Sequence, residues 1–127
     1  MKEITLTIDS VPPTANCIWR KCGKRIMLSE TAKTFNRLVA AQIINAPLLP
    51  KEWEWYNVEI VVSPRTRNGD VDNRIKATLD ALTKAHFWDD DKKVSQVSCR
   101  FVAPSVKGKT WIRISEGRSK FEASAPW

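Results

Sequence analysis

The 127-residue sequence contains few of the residues that form disulfide bonds or structural metal sites in small folds. It has three cysteines, Cys17, Cys22 and Cys99, and one histidine, His86. An odd and sparse set of cysteines does not form a disulfide framework. The same residues do not supply the four clustered ligands of a structural zinc site. We therefore interpret the three cysteines as structural thiols.

Long apolar runs are also missing. No stretch approaches the roughly 20 residues that cross a bilayer as a helix. The first residues alternate between apolar and polar side chains and include acids, so they lack the apolar core of a signal peptide. We therefore expect a cytoplasmic protein without a membrane partner or a small-molecule cofactor. The length predicts one domain over residues 1–127, with 117–127 as a loosely held tail.

Positive charge is in excess. The chain has 21 Lys and Arg against 14 Asp and Glu, a net charge of +7. Residues 1–45 and 87–127 carry this surplus, whereas residues 46–86 are neutral and contain clustered aspartates. A basic chain favours polyanionic partners, with nucleic acid first. Acids set within a basic protein suit a phosphodiester enzyme, in which bases hold the backbone and acids hold a metal ion.

Hydrophobic periodicity predicts an α+β fold. The predicted order is a strand, a short β-hairpin, a helix, a strand, a helix and two strands. The corresponding residues are 4–8, 16–28, 30–45, 57–63, 71–85, 94–102 and 109–115. We expect a small mixed β-sheet with two main helices packed on one face. The last two strands are predicted to form a closing hairpin around residues 103–108, and the second helix to bury Val71, Ile75, Leu79 and Leu82.

Six of the seven aspartates lie between positions 70 and 91. Asp70 and Asp72 follow a strand and a loop and open the second helix, where two carboxylates can point into one site. The alternative is helix capping, which the same positions favour. An EF-hand loop starting at Asp70 is excluded, because its sixth position is Ile75 rather than glycine and its twelfth is Ala81 rather than glutamate.

Lys76 stands four residues after Asp72 and four before Asp80, so a helix places all three on one face. They could form a surface ion-pair ladder, worth a few tenths of a kcal/mol for each pair. The functional alternative places the ammonium of Lys76 beside a phosphate, where it would neutralise charge in the transition state.

Three consecutive acids, Asp89, Asp90 and Asp91, follow the aromatic pair Phe87-Trp88. They could form a solvated turn balanced by the lysines that follow. Alternatively, one or two of them complete a site with Asp70 and Asp72. Mg²⁺ prefers oxygen ligands and needs few carboxylates. Such a site would activate a water molecule for phosphodiester hydrolysis.

Four segments together resemble the RusA family of Holliday junction resolvases. They are Pro12-Pro13-Thr14-x-Asn16, the basic turn with Ser29 after it, Asp70-x-Asp72-Asn73-x-x-Lys76-x-x-x-Asp80-Ala81-Leu82, and Phe87-Trp88-x-Asp90-Asp91. They occur in one order over about positions 4–116. The resemblance implies a homodimeric, Mg²⁺-dependent endonuclease, with Mn²⁺ as a substitute metal, from a bacterial or phage-infected cell and often encoded by a prophage. Its expected substrate is four-way branched DNA, cut by paired symmetric nicks that leave 5′-phosphate and 3′-hydroxyl ends.

The resemblance also implies roles for individual residues. Asp70, Asp72 and Asp91 correspond to the metal-binding carboxylates, and Lys76 corresponds to an essential lysine beside them. Asp90 is a further candidate ligand, and Asn16, Asn73 and Asp80 are supporting residues. Asp89 stands where an apolar residue is common in the family, which leaves the choice among the three acids open.

Basic residues around these acids are candidates for contact with DNA phosphates. They are Arg20, Lys21, Lys24, Arg25, Arg65, Arg67 and Arg74. The alternative for the basic turn is an ordinary solvated surface. Two further functions remain open from the sequence. One is a DNA-binding protein without catalysis, in which the acids serve as caps and turns, and the other is a nuclease for flaps or replication forks.

Overall fold

Six strands and two helices make up the described part of the chain. The computed structural model describes residues 3–13, 19–22, 25–28, 30–45, 53–64, 71–88, 90–102 and 108–118, with the backbone alone at 19–22, 25–28, 72 and 73. The strands are β1 (Glu3–Ile8), β2 (Trp19–Cys22), β3 (Arg25–Leu28), β4 (Tyr56–Ser63), β5 (Val94–Phe101) and β6 (Lys109–Glu116). The helices are α1 (Glu30–Asn45) and α2 (Val71–Lys84), and a short 3-10 helix covers Asp91–Lys93. The fold is therefore mixed α+β, as predicted.

The four-stranded sheet has the order β1-β6-β4-β5. β6 lies antiparallel between β1 and β4, and β5 runs parallel to β4 at the edge. β2 and β3 form a separate antiparallel pair. The prediction of a closing hairpin between the last two strands was wrong. The physical reason is that α2 connects β4 to β5, and such a helical crossover brings the two strands together in parallel, which leaves β6 to pair elsewhere.

One face of the sheet carries the core. Alternate residues of β1, β4 and β6 are buried there, and α1 adds Ala32, Phe35, Val39 and Ile43. Both helices contribute side chains to this single hydrophobic cluster. Within the described residues, neither helix is long and apolar enough to cross a membrane.

The buried face of α2 differs from the predicted stripe. Val71 is 37% exposed, and Ile75 and Leu79 are only partly buried. Leu82 is buried as predicted, and the other buried positions are Arg74, Ala77, Thr78 and Ala81. Small side chains at the middle of this face let the helix approach the sheet closely, so the helix is rotated relative to its most apolar stripe.

Gly117 holds the end of β6 against the start of β4. Its N–H donates to the carbonyl of Trp55 at 2.9 Å. A Cβ atom at this position would lie 2.6 Å from Ser95 Oγ and 2.8 Å from the carbonyl carbon of Tyr56. Gly117, predicted as the first residue of a loose tail, is therefore tightly packed, whereas residues 119–127 lie outside the described part.

We expect Gly117→Ala to lower the free energy of unfolding by about 1–3 kcal/mol, because the Tyr56 backbone cannot move without disturbing β4. Chemical denaturation measures this change, with Arg118→Ala at the neighbouring exposed position as the control. Equal stability of Gly117→Ala and wild type would contradict the close packing described above.

Candidate active site

Helix α2 carries the first two groups of the candidate site. Lys76 is exposed and Asp80 is partly buried. The helix is antiparallel to β4 and β5, which it connects, and its buried face fixes it on the sheet. Since residues four apart share a helix face, Lys76 and Asp80 project from α2 on the same side.

An aromatic cluster holds the turn that leads from α2 to the acids. The rings of Phe87 and Trp88 are buried and pack edge-on against Tyr56, with ring centroids 5.7 and 5.2 Å away. Trp88 Nε1 also donates to Thr83 Oγ1 on α2 at 2.7 Å. His86 adopts a left-handed backbone conformation, φ 61°, which lets the chain reverse after the helix. The turn that precedes the acidic residues is therefore packed against β4 and hydrogen-bonded to α2.

Asp90 and Asp91 follow this turn, and their side chains are exposed. Asp90 caps the short 3-10 helix, because its Oδ1 accepts a hydrogen bond from the backbone N–H of Lys92 at 3.0 Å. Asp91 is the first residue of that helix, which contacts α2. β5 follows directly at Val94, so the position of the two acids depends on how α2 and β5 are aligned.

The neighbouring acids and the lysine influence Asp91 electrostatically. The pKa of Asp91 is raised above its ordinary value, first by partial desolvation and then by hydrogen bonding with Asp90. The negative charges of Asp90 and Asp80 raise the pKa further, whereas the positive charge of Lys76 lowers it. The structure therefore brings together Lys76, Asp80, Asp90 and Asp91, which the sequence places up to 15 positions apart. We call these four residues the acidic cluster.

Several predicted site residues lie outside the described part of the chain. These are Asn16, Lys24, Arg65, Arg67, Asp70 and Asp89. For a second group only the backbone is described, in the first turn of α2 or on β2 and β3: Asp72, Asn73, Arg20, Lys21 and Arg25. Within the residues whose side chains are described, no group of three or more His, Cys, Asp or Glu is arranged to hold a metal ion. The metal ligands therefore stay predictions.

Arg74 occupies a different environment from the one predicted for a phosphate contact. Only 6% of it is exposed, and its Nη1 donates to the carbonyl of Pro12. The guanidinium also lies over the ring of Phe101, 5.8 Å from the centroid. The helical spacing of Arg74, Thr78, Ala81 and Leu82 is the one signal in the sequence that could have indicated this environment, because it places Arg74 on the same face as three residues that are fully buried.

A separate depression lies on the outer face of the sheet, opposite the helices. Glu59, Arg100, Trp111 and Arg113 are among the residues that line it. Arg113 Nε donates to Glu59 Oε2 at 2.7 Å, so opposite charges compensate each other there. The depression contains none of the acidic-cluster residues, and we do not associate it with catalysis.

Comparison with known proteins places this geometry in context. The family model described as endodeoxyribonuclease RusA matches residues 10–115. A crossover junction endodeoxyribonuclease RusA of Escherichia coli strain K12 is 37% identical over 103 residues, which cover 76% of this chain and 81% of the relative. The protein of the same name from Escherichia coli O139:H28 is 33% identical over 110 residues, and that of Enterobacteria phage HK97 is 26% identical over 106 residues. Each of these two alignments covers 83% of this chain and 88% of the relative.

Proposed function

Because the chain belongs to the RusA family of crossover junction endodeoxyribonucleases, we propose that it resolves four-way DNA junctions by paired symmetric nicks that depend on Mg²⁺. The observation that carries the proposal is the acidic cluster, in which a lysine and two carboxylates from α2 and the following turn act electrostatically on Asp91.

The donor chemistry of the cluster fits a hard divalent cation. Asp90 and Asp91 are exposed carboxylates. Partial desolvation and a hydrogen bond with Asp90 are the main causes of the raised pKa of Asp91, and the negative charges of Asp90 and Asp80 add a repulsion of the kind that a bound cation relieves. Enzymes of the family generally depend on a metal ion. We propose that Asp91 binds Mg²⁺ together with Asp70 and Asp72, with Asp90 as a further ligand and Mn²⁺ as a substitute. When bound, the ion would supply Lewis-acid stabilisation of a phosphoryl oxygen and a more acidic water molecule.

Residues of the chain would then stabilise the charge that develops in the reaction and hold the reacting groups in position. The ammonium of Lys76 would lie beside the scissile phosphate and offset the negative charge that develops there. Asp80, one turn further along α2, would orient the Lys76 ammonium through its negative charge. Asn73 and Asn16 are proposed supporting residues.

Basic residues outside the cluster would bind the DNA arms. The net charge of +7 provides the long-range attraction. We propose backbone contacts from Arg20, Lys21, Lys24 and Arg25 on and between β2 and β3, and from Arg65 and Arg67 before α2. Such contacts position the junction without reading its sequence.

A homodimer would account for the symmetry of the reaction. Two opposed nicks require two active sites, and a two-fold dimer provides them in matching orientation. Sedimentation of the protein–junction complex tests this step, since two chains should be found for each junction.

The experiment that tests the proposed function compares branched substrates of matched sequence. We expect the purified chain with Mg²⁺ to nick a four-way junction on two opposed strands at symmetric positions, and to leave linear duplex intact. Faster cutting of a flap or a replication fork than of the junction would instead assign the chain to a different branched structure. Binding without cutting of any substrate would favour a DNA-binding protein.

A further inference from the structure

Arg74 joins three segments that are distant in the sequence. Its guanidinium is buried, donates to the Pro12 carbonyl just after β1, and lies over the Phe101 ring at the end of β5. Its positive charge also opposes the burial-driven rise in the pKa of Cys99, which is on β5 as well. Burying a charged group costs free energy unless other groups compensate for the lost water. The contacts with Pro12 and Phe101 provide part of this compensation for Arg74.

Other polar groups near both ends of α2 are also satisfied. Thr78, which is fully buried, donates through Oγ1 to the Arg74 carbonyl at 2.9 Å, a bond within the helix. At the other end of α2, Thr83 accepts the hydrogen bond from Trp88. The helix is thus held at both ends, and Arg74 provides the attachment at its first turn.

The attachment matters because the acidic cluster is built from two elements. Lys76 and Asp80 lie on α2, whereas Asp90 and Asp91 immediately precede β5. Any sliding of α2 along β5 would change the distances between these two pairs. Asp72 and Lys76 each lie two residues from Arg74, about 3 Å along the helix axis, so they follow its position closely.

We propose that Arg74 is a positioning residue for the cation site: its contacts with Pro12 and Phe101 set the alignment of α2 with β5 and thereby hold Lys76 and Asp80, on α2, opposite Asp90 and Asp91. This inference rests on the proposed function, since it assumes that the carboxylates of this site bind a divalent cation. An arginine suits the role because its planar guanidinium can donate a hydrogen bond and lie over a ring at the same time, whereas a lysine ammonium is a compact point charge.

The alternative role, contact with a DNA phosphate, predicts different behaviour. Loss of a phosphate contact weakens junction binding and lowers the salt dependence of that binding by about one counterion. Loss of a positioning residue leaves both properties unchanged, and instead weakens cation binding and slows the cleavage of bound junction.

The test uses Arg74→Met and Arg74→Lys in the full chain, with Arg37→Met at an exposed position of α1 as the matched control. Binding of Mn²⁺ is followed by electron paramagnetic resonance, and single-turnover cleavage is measured over a range of Mg²⁺ concentrations. We expect Arg74→Met to weaken Mn²⁺ binding, and to raise the Mg²⁺ concentration for half-maximal cleavage, by about 10-fold or more. Arg74→Lys should show an intermediate shift, and Arg37→Met should match wild type.

Junction affinity in EDTA at several salt concentrations completes the test, and we expect it to be unchanged in all three variants. If Arg74→Met does not fold, Phe101→Leu removes the ring while keeping the arginine, and should shift Mn²⁺ binding in the same direction by a smaller factor. The inference would be overturned if the folded Arg74 variants bind Mn²⁺ as tightly as wild type. If Arg74→Met does not fold, wild-type Mn²⁺ affinity in Phe101→Leu would overturn it. The inference would also be overturned if the Arg74 variants lose only junction affinity and the salt dependence of that affinity becomes weaker.

Failure of the proposed function gives a separate pattern. If wild type binds Mn²⁺ but cuts no junction, the proposed function fails, and the comparison of Mn²⁺ affinities still decides the role of Arg74. If wild type binds no Mn²⁺, there is no cation site to position and the inference is overturned.

Discussion

Asp91→Asn should lower the rate of junction cleavage by at least about 100-fold while leaving junction binding in EDTA unchanged or stronger. Changes to groups that merely support metal ligands already cost 10- to 100-fold, and this substitution removes the charge of a proposed ligand itself. Asparagine has nearly the same shape as aspartate, so the exposed start of the 3-10 helix should keep its fold. Removing a negative charge near the phosphates should favour DNA binding.

The measurement combines single-turnover cleavage with a binding assay on the same labelled junction. Glu30→Gln is the matched control, because Glu30 is an exposed carboxylate on α1 that pairs with Lys33 at 3.7 Å and is not among the groups that shift the pKa of Asp91. Asp90→Asn distinguishes the two acids, since an asparagine at this position can still cap the 3-10 helix. Full activity of Asp91→Asn would remove Asp91 from the metal ligands.

Lys76→Met should reduce the cleavage rate at saturating Mg²⁺ by about 100-fold or more, which is the usual effect of losing one group that stabilises transition-state charge. Cation binding should not weaken, and we expect it to be equal or tighter. The sign follows from the electrostatics of the cluster: Lys76 lowers the pKa of Asp91, so its removal leaves the carboxylates less compensated and more attractive to a cation.

Single-turnover rates and Mn²⁺ titrations measure the two effects separately. Lys84→Met is the matched control, because Lys84 is an exposed lysine in the last turn of the same helix. If Lys76→Met and Lys84→Met cut equally fast, Lys76 belongs to a surface ion-pair ladder and contributes only a few tenths of a kcal/mol to the helix.

Local pattern predicted the helices and main strands to within one or two residues. The alternation of Ile4, Leu6 and Ile8 and the stripe of α1 depend only on which face each residue presents. The sheet order was not predictable in the same way. The insertion of β6 between β1 and β4 depends on pairing across more than 100 residues of chain, which periodicity does not encode. The buried face of α2 was not predictable from periodicity either. Ala77, Thr78 and Ala81 are buried for their small size rather than their hydrophobicity.

The candidate site was predictable to a different extent for its acids and for Arg74. The spacing and the family resemblance predicted Asp80, Asp90, Asp91 and Lys76 as site residues. In the structure the charges of the other three act on Asp91, and the roles of all four in catalysis stay predictions. The sequence predicted Arg74 as a contact for DNA phosphates because it lies beside the acids of the candidate site. Its burial depends on a carbonyl 62 positions away in the sequence, and no local pattern carries that information.

The most direct test of the central claim is the metal dependence of cutting and binding on one substrate. A labelled four-way junction and a linear duplex of the same sequence are incubated with the purified chain, in Mg²⁺ and in EDTA. We predict symmetric nicks on the junction alone and only in Mg²⁺, with junction binding retained in EDTA. Tight binding without cutting in any divalent metal would contradict the account, and the aspartates of the cluster would then serve only as caps and turns.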